Sequence, residues 1–363
     1  MNKITISAPG KLMLLGEHAV VYNHPCLVTT VDQRIKTTVE LISEPIFVLQ
    51  ASDVKVIHYK KSISDIGKGD IPKGAKFVEM VVANFLNQIP KQVRNEKLIL
   101  RTVIPAKAGI QKSTRFPIKS GMTKMRNMND NMGVRVTTKS EFSSQFGFGS
   151  SSAATVCVVK GLSELFNIKL SQREIFDLSY KTVLDVQGKG SGFDVAAAVF
   201  GGTLYFVTGG KVIESLDIES LRLVVGYSGI KADTATLINK VKEAFSNRQD
   251  RLAEIYSGIE MLVKEAKDAL IKRDWERLGE LMNKNQEYLS ELGVSSDKLD
   301  SMIKSALDAG AYGAKLSGAG GGDCMITISS EEKKQAVENS IIKAGGEIIS
   351  VKTNVEGVRV END

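Results

Sequence analysis

Apolar and β-branched residues recur with a period of two along Ile4–Ser7, Leu27–Ile42, Gly202–Val207 and Leu221–Gly226, the signature of strands. From Lys76 the period lengthens. Phe77, Met80, Val81, Phe85 and Leu86 fall at helical spacing, as do Leu252, Ile255, Ile259, Leu262, Val263 and Ala266. A third amphipathic helix holds Trp275, Leu278, Leu281 and Met282, and a fourth holds Leu299, Met302, Ile303 and Leu307, with Gly310 placed to close it just after the C-cap. Beyond Gly310 the pattern predicts a strand, a glycine loop, a strand at Cys324–Ser329, a helix from Glu331 and a final strand at Glu347–Lys352. All these stripes read as core. Mixed strands and helices in this order predict an α+β protein of two domains, 1–218 and 219–363, divided near 215–222.

One stretch fits neither period. Residues 104–133 carry no helical or strand pattern and read as a basic, disordered insertion. Removing them would join Leu98–Thr102 to Val134–Thr138 as a hairpin or strand pair. Loop-closure entropy grows slowly with length, so a fold tolerates such an insertion when its ends stay close.

The insertion also explains the charge. Of the formal +6 on 363 residues, it contributes Lys107, Lys112, Arg115, Lys119, Lys124 and Arg126 against Asp130 alone, leaving +1 for the rest. A basic nucleic-acid face on the folded body is therefore not expected, and Phe116 is the insertion's only aromatic for base stacking. With 42% apolar residues the chain is long enough for a full core. No run approaches the ~18 apolar residues of a membrane span. Met-Asn-Lys-Ile-Thr-Ile lacks a signal-peptide core, so a cytoplasmic protein without membrane partners is expected. Cys26, Cys157 and Cys324 are odd in number and far apart, which suggests neither a disulfide framework nor a zinc site.

The candidate chemistry lies in glycine-rich segments. Gly147-Phe148-Gly149-Ser150-Ser151-Ser152-Ala153-Ala154-Thr155 runs into the helix-forming stretch Ala153–Phe166 and reads as a phosphate cradle at a helix N-terminus. The P-loop lysine and the third glycine of the dinucleotide fingerprint are both absent. A loop that merely caps a helix would explain this motif alone. Two more segments, Ala8-Pro9-Gly10-Lys11 through Gly16-Glu17-His18-Ala19-Val20-Val21-Tyr22 and Lys315-Leu316-Ser317-Gly318-Ala319-Gly320-Gly321-Gly322-Asp323, suggest a composite site. Gly190-Ser191-Gly192-Phe193-Asp194 adds a carboxylate on a flexible turn, which would serve either as a helix cap or as a catalytic group. Lys11 by itself would pass for a surface lysine.

In order and spacing these four segments resemble the signatures of the GHMP small-molecule kinases, over residues 6 to about 328. The first segment is most similar to mevalonate kinases. Gln187 to Ala198 and Gly320-Gly321-Gly322-Asp323-Cys324 are similar to phosphomevalonate kinases. The resemblance implies a first domain like ribosomal protein S5 and a ferredoxin-like second domain, with ATP and Mg2+ in the cleft between. It implies phosphorylation of the terminal hydroxyl of mevalonate, with 5-phosphomevalonate as the alternative acceptor, and by analogy a homodimer. It assigns Asp194 and Lys11 to catalysis, and Gln145, Gly147, Phe148, Gly149, Ser150, Ser151, Ser152 and Ala153 to ATP. Ser151 would be the metal ligand, and Glu17, His18, Thr234, Gly318 and Ala319 would face the substrate. Where such kinases carry a metal-binding glutamate this chain has Val183, for which Asp185 is a candidate substitute.

Overall fold

The 18-residue run Pro25–Ile42, rich in Val, Ile and Thr, forms the long strand on which the first half of the molecule is built. The computed structural model describes residues 2–99, 132–219 and 221–361, with backbone alone at 88–99 and 235. In chain order the strands are β1 (Lys3–Leu15), β2 (Pro25–Ile42), β3 (Ile46–Ala51), β4 (Val56–Ser62), β5 (Gly133–Ser140), β6 (Thr203–Val207), β7 (Val212–Leu216), β8 (Leu223–Tyr227), β9 (Gly313–Ser317), β10 (Cys324–Ile328), β11 (Glu347–Ile349) and β12 (Arg359–Val360). The helices are α1 (Lys76–Ile99), α2 (Ser150–Leu165), α3 (Gln172–Gln187), α4 (Phe193–Phe200), α5 (Thr234–Ala244), α6 (Gln249–Lys272), α7 (Trp275–Glu291), α8 (Asp297–Asp308) and α9 (Glu331–Lys343).

Among the described residues the strands form two sheets. The first runs β12-β1-β2-β5-β3-β4, and β6 pairs with the start of β2 and with β7. β2 is long enough to pair with β5 over Ile35–Ile42 and with β6 over Pro25–Thr29, so it serves two neighbours in succession on one edge. β1 outlasts the short strand predicted at Ile4–Ser7. It crosses Pro9 and Gly10 by a register shift against β2 and shifts again between Met13 and Leu15, bulges that accommodate a proline and bend the strand. Helix α2 packs on β1 and β2, and α1 and α3 lie against α2.

The second sheet runs β11-β8-β10-β9 with every pairing antiparallel. Helices α5 to α8 intervene between β8 and β9, and α9 lies between β10 and β11, the βαββαβ order of a ferredoxin-like unit. Helix α8 stops where glycine was expected: Gly310 follows the C-cap Ala309 with φ 95° and donates its N–H to the Leu307 carbonyl.

Three features depart from the pattern reading. Leu98 and Ile99 close helix α1 instead of opening a strand, an apolar run too short for periodicity to decide. The last strand is β12, which lies beyond 218 yet pairs with β1 of the first sheet. Helix α3 lies outside the elements the pattern predicts, although Ser171 and Glu174 form a reciprocal capping box at its start. The insertion expected at 104–133 lies outside the described residues up to 131.

The two sheets are tied at the end of β1. The Ser317 hydroxyl accepts from the Met13 N–H at 3.0 Å and donates to the Met13 carbonyl at 2.9 Å. Below it the Lys315 ammonium meets the Glu17 carboxylate, with side chains 0% and 1% exposed. Asn285 of α7 joins them through Glu17 and the Gly16 N–H. Burial holds the Lys315 ammonium below its usual range even with Glu17 against it. Replacing Lys315 by Met should strand the Glu17 charge and cost about 3–5 kcal/mol, read as a lower urea midpoint. The double variant Glu17→Leu/Lys315→Met should recover most of that loss, whereas an additive loss would show that the two groups do not act as a pair.

Candidate active site

Two helices begin at one place in the first half of the molecule. Gly149, with φ 80°, is the N-cap of α2, and Gly192, with φ 91°, is the N-cap of α4; neither cap is made by a side chain. In α2 the first backbone acceptor–donor pair joins the Ala153 N–H to the Gly149 carbonyl. The amides of Ser150, Ser151 and Ser152 thus point out of the helix end without an intrahelical partner, at the positive pole of the dipole. That is an anion site in chemical terms.

Lys11 enters this place from β1. Its N–H donates to the Phe148 carbonyl at 3.0 Å and its ammonium to the Gly147 carbonyl at 2.8 Å. The Lys11 ammonium also lies 5.3 Å from the centre of the Phe193 ring. A Cβ on Gly149 would stand 3.4 Å from Lys11 Cε and 3.5 Å from Asp194 Cβ, so the glycine is the point where lysine, carboxylate and helix end meet. Burial pushes the Lys11 ammonium down, while Asp194 and then Asp323 pull it back up.

Asp194 occupies the first turn of α4, where the dipole favours its charge. Ser152, buried in α2, donates its hydroxyl to Asp194 Oδ2 at 2.5 Å. The two helix ends are thereby joined through a serine and an aspartate. Val183 is packed in the core, and the Asp185 carboxylate is held by Lys181 and by the Asn84 amide of α1.

The second sheet supplies the opposite wall. Asp323, in a left-handed conformation with φ 53°, accepts at Oδ1 from the Lys231 ammonium at 3.1 Å and from the Ala232 N–H at 2.9 Å. Its Oδ2 sits 2.5 Å from where a Gly147 Cβ would be, so the carboxylate rests against the glycine-serine loop. Tyr227 adds a bridge, donating to Gln145 Oε1 at 3.2 Å. In the run Gly318–Gly322, Gly320 packs onto the Val294 carbonyl, where a Cβ would come within 2.1 Å, while a Cβ on Gly318 would meet nothing within 4 Å.

The predicted residues divide accordingly. Lys11, Gly147, Gly149, Ser152 and Asp194 come together, with Ser150 and Ser151 on the open helix end. Phe148 is buried with its ring against Phe142 and Phe146, so only its backbone lines the loop, and Ala153 is likewise in the core. Glu17, expected at the substrate, is spent on Lys315. His18, expected to donate to substrate, directs Nε2 at the Ala319 carbonyl at 2.8 Å. A carbonyl only accepts, so that nitrogen carries a proton, and burial lowers the ring's proton affinity. Its backbone, with φ 60° and ψ −51°, is strained, as at many ligand-handling turns. Thr234 begins α5 with an exposed side chain. Sequence reasoning gave no role to Asp323 or Lys315; the acidic end of a glycine run and a lysine ahead of it were the available signals.

Comparison with known proteins settles the kinship. Residues 117–202 match the GHMP kinases N terminal domain and residues 266–347 the GHMP kinases C terminal. A mevalonate kinase of Pyrococcus furiosus is 30% identical, the match covering 99% of this chain and 98% of that protein; for a mevalonate kinase of Thermococcus onnurineus the identity is 32%, over 99% and 98%. The chain belongs to the GHMP kinases. This GHMP kinase also shares its fold with a mevalonate kinase crystal structure, at 25% identity and TM-score 0.70, covering 97% of this chain and 99% of that one. The L. major mevalonate kinase in complex with R-mevalonate aligns with TM-score 0.67 at 22% identity, over 96% of this chain and 95% of the other. The chain is an ATP-dependent small-molecule kinase. Among its described residues no helix is long and apolar enough to cross a membrane.

Gly147→Ala offers a direct check. The left-handed backbone would cost about 1–2 kcal/mol for a non-glycine residue, and the new methyl would collide with Asp323. Calorimetric titration with ATP should show binding weakened by about tenfold, the equivalent of about 1.4 kcal/mol.

Proposed function

We propose that this GHMP kinase transfers the γ-phosphoryl group of ATP to the terminal hydroxyl of mevalonate, giving 5-phosphomevalonate for isoprenoid synthesis. The observation that carries the reading is the meeting of Lys11, Asp194 and the N-terminus of α2, in a chain whose similarity to the mevalonate kinases runs over its whole length. Phosphoryl transfer requires little covalent work from protein groups; positioning and charge stabilisation suffice.

The triphosphate lies at the amides of Ser150 to Ser152, where the dipole and free N–H groups favour its charge. The alcohol oxygen attacks the γ-phosphorus in line, a new O–P bond forms, and the bond to the bridging oxygen of ADP breaks. Asp194 Oδ1 accepts the hydroxyl proton, its other oxygen being held by Ser152. Lys11, charged and short of water, offsets negative charge building on the transferring group. Lys231 and Lys11 are each set against a carboxylate, Asp323 and Asp194, an arrangement suited to an acceptor carrying one anionic group rather than a second phosphate.

Mg2+ takes few protein ligands when a triphosphate supplies the rest, and the donors here fit that pattern. Ser151 at the open helix end, with water and the triphosphate's own oxygens, would hold it, and it would supply neutralisation of the phosphate charge. Val183 contributes no oxygen, and Asp185 is engaged elsewhere.

Release of ADP from purified protein, measured with mevalonate and with 5-phosphomevalonate, decides the acceptor: turnover is expected with mevalonate, and faster turnover with the phosphorylated compound would overturn the assignment. Asp194→Asn should lower kcat by on the order of 10² or more with the fold intact. The pH dependence follows from Lys11. Because burial dominates and lowers its proton affinity, the ammonium is lost as pH rises through a value below the ordinary 10.5, so kcat should fall on that alkaline limb. Lys11→Arg, which stays charged, should move the limb upward even if the maximal rate drops.

A further inference from the structure

We propose that Ser152 is a positioning residue for phosphoryl transfer, holding Asp194 so that one carboxylate oxygen alone is presented to the acceptor alcohol. The inference rests on the kinase reading above and deepens it.

A serine in the first turn of a helix ordinarily turns its hydroxyl to the helix's own unpaired amides. Ser152 does not. Gly149 occupies the N-cap of α2 without a side-chain cap, and the Ser152 hydroxyl leaves its own helix to donate to Asp194 Oδ2 at 2.5 Å. Ser152 is 1% exposed while Asp194 stays partly open to the cleft, so the bond is shielded from the serine's side, and a hydrogen bond to a charged acceptor is among the stronger kinds.

The geometry gives the bond a purpose. Asp194 stands in the first turn of the short helix α4, behind Gly190 and Gly192, on a turn that by itself leaves the side chain free to swing. On one side it faces Lys11, whose ammonium is anchored to the Gly147 carbonyl. Without a second tether the carboxylate would close onto the lysine as a simple ion pair, using the oxygens needed for the alcohol proton. With Oδ2 committed to Ser152, Oδ1 remains the acceptor, on a residue whose Cβ stands beside the Gly149 N-cap of α2. Because the tether comes from α2 itself, the carboxylate is registered to the same helix end that binds the triphosphate, and reacting groups are aligned without loop movement.

A double-mutant cycle tests the proposal in the full-length protein. Ser152→Ala should lower kcat between about tenfold and about a hundredfold, with KM for ATP and for mevalonate within about threefold of the parent. In an Asp194→Asn background the same substitution should change kcat by less than about twofold, because the group it positions is already gone. Ser152→Thr, which keeps a hydroxyl, should recover most of the loss. Thermal melts with and without ATP report whether each variant is folded and binds nucleotide. A Ser152→Ala enzyme within twofold of the parent, or an equal factor in both backgrounds, would overturn the role. Failure of the parent to turn over mevalonate would instead sink the acceptor assignment and leave this comparison to be made with whichever alcohol is phosphorylated.

Discussion

The candidate site is organised around one buried ammonium. Lys11 is taken out of water by the packing of β1 beneath the glycine-serine loop, and its charge persists there because the Gly147 carbonyl and the Asp194 and Asp323 carboxylates surround it. Desolvation outweighs the pairing, so the ammonium gives up its proton more readily than a lysine in water. A lysine in bulk water would attract phosphate weakly and through a hydrated shell; a buried one would act at short range on an anion held at the open end of α2. Gly147 and Gly149 follow from that requirement, since side chains there would separate the ammonium from its partners.

Charge also organises the seam between the halves. Glu17 and Lys315 form a second buried pair, connected to α7 through Asn285, while Ser317 grips both backbone groups of Met13. Buried pairs of this sort contribute little net stability compared with apolar packing, but each is intolerant of losing one member. They impose a single seating of the second sheet on the first. The Asp323 carboxylate, reaching the loop from β10's side, then arrives beside Gly147 at a fixed distance.

Much of this was legible beforehand, and the reasons for the rest are specific. The long helices carried clean 3.6-residue stripes, and β2 advertised itself by its β-branched residues. The glycine and serine loop, Lys11 and Asp194 could be placed in one site because each belongs to a short segment whose chemistry makes sense only with the others. The partners of Glu17 and His18, Lys315 and the Ala319 carbonyl, could not be read from the sequence, since they lie about 300 residues away. Phe148 illustrates another limit: a residue within a ligand loop lends its backbone and buries its ring. The bond from Ser152 to Asp194 depends on two helix ends converging, and no local pattern encodes convergence.

The pairing of Arg359 and Val360 with Ser7 and Ile6 brings distant stretches of the polypeptide into the first sheet, with the Ser7 hydroxyl donating to Glu361 and Arg34 capping the Glu356 and Gly357 carbonyls. A polypeptide emerging from the ribosome therefore cannot finish its amino-terminal half first. Strand β1 waits, with one edge unpaired, until residues 359 and 360 have been synthesised, and the ferredoxin-like half lies within an architecture that closes around it afterwards.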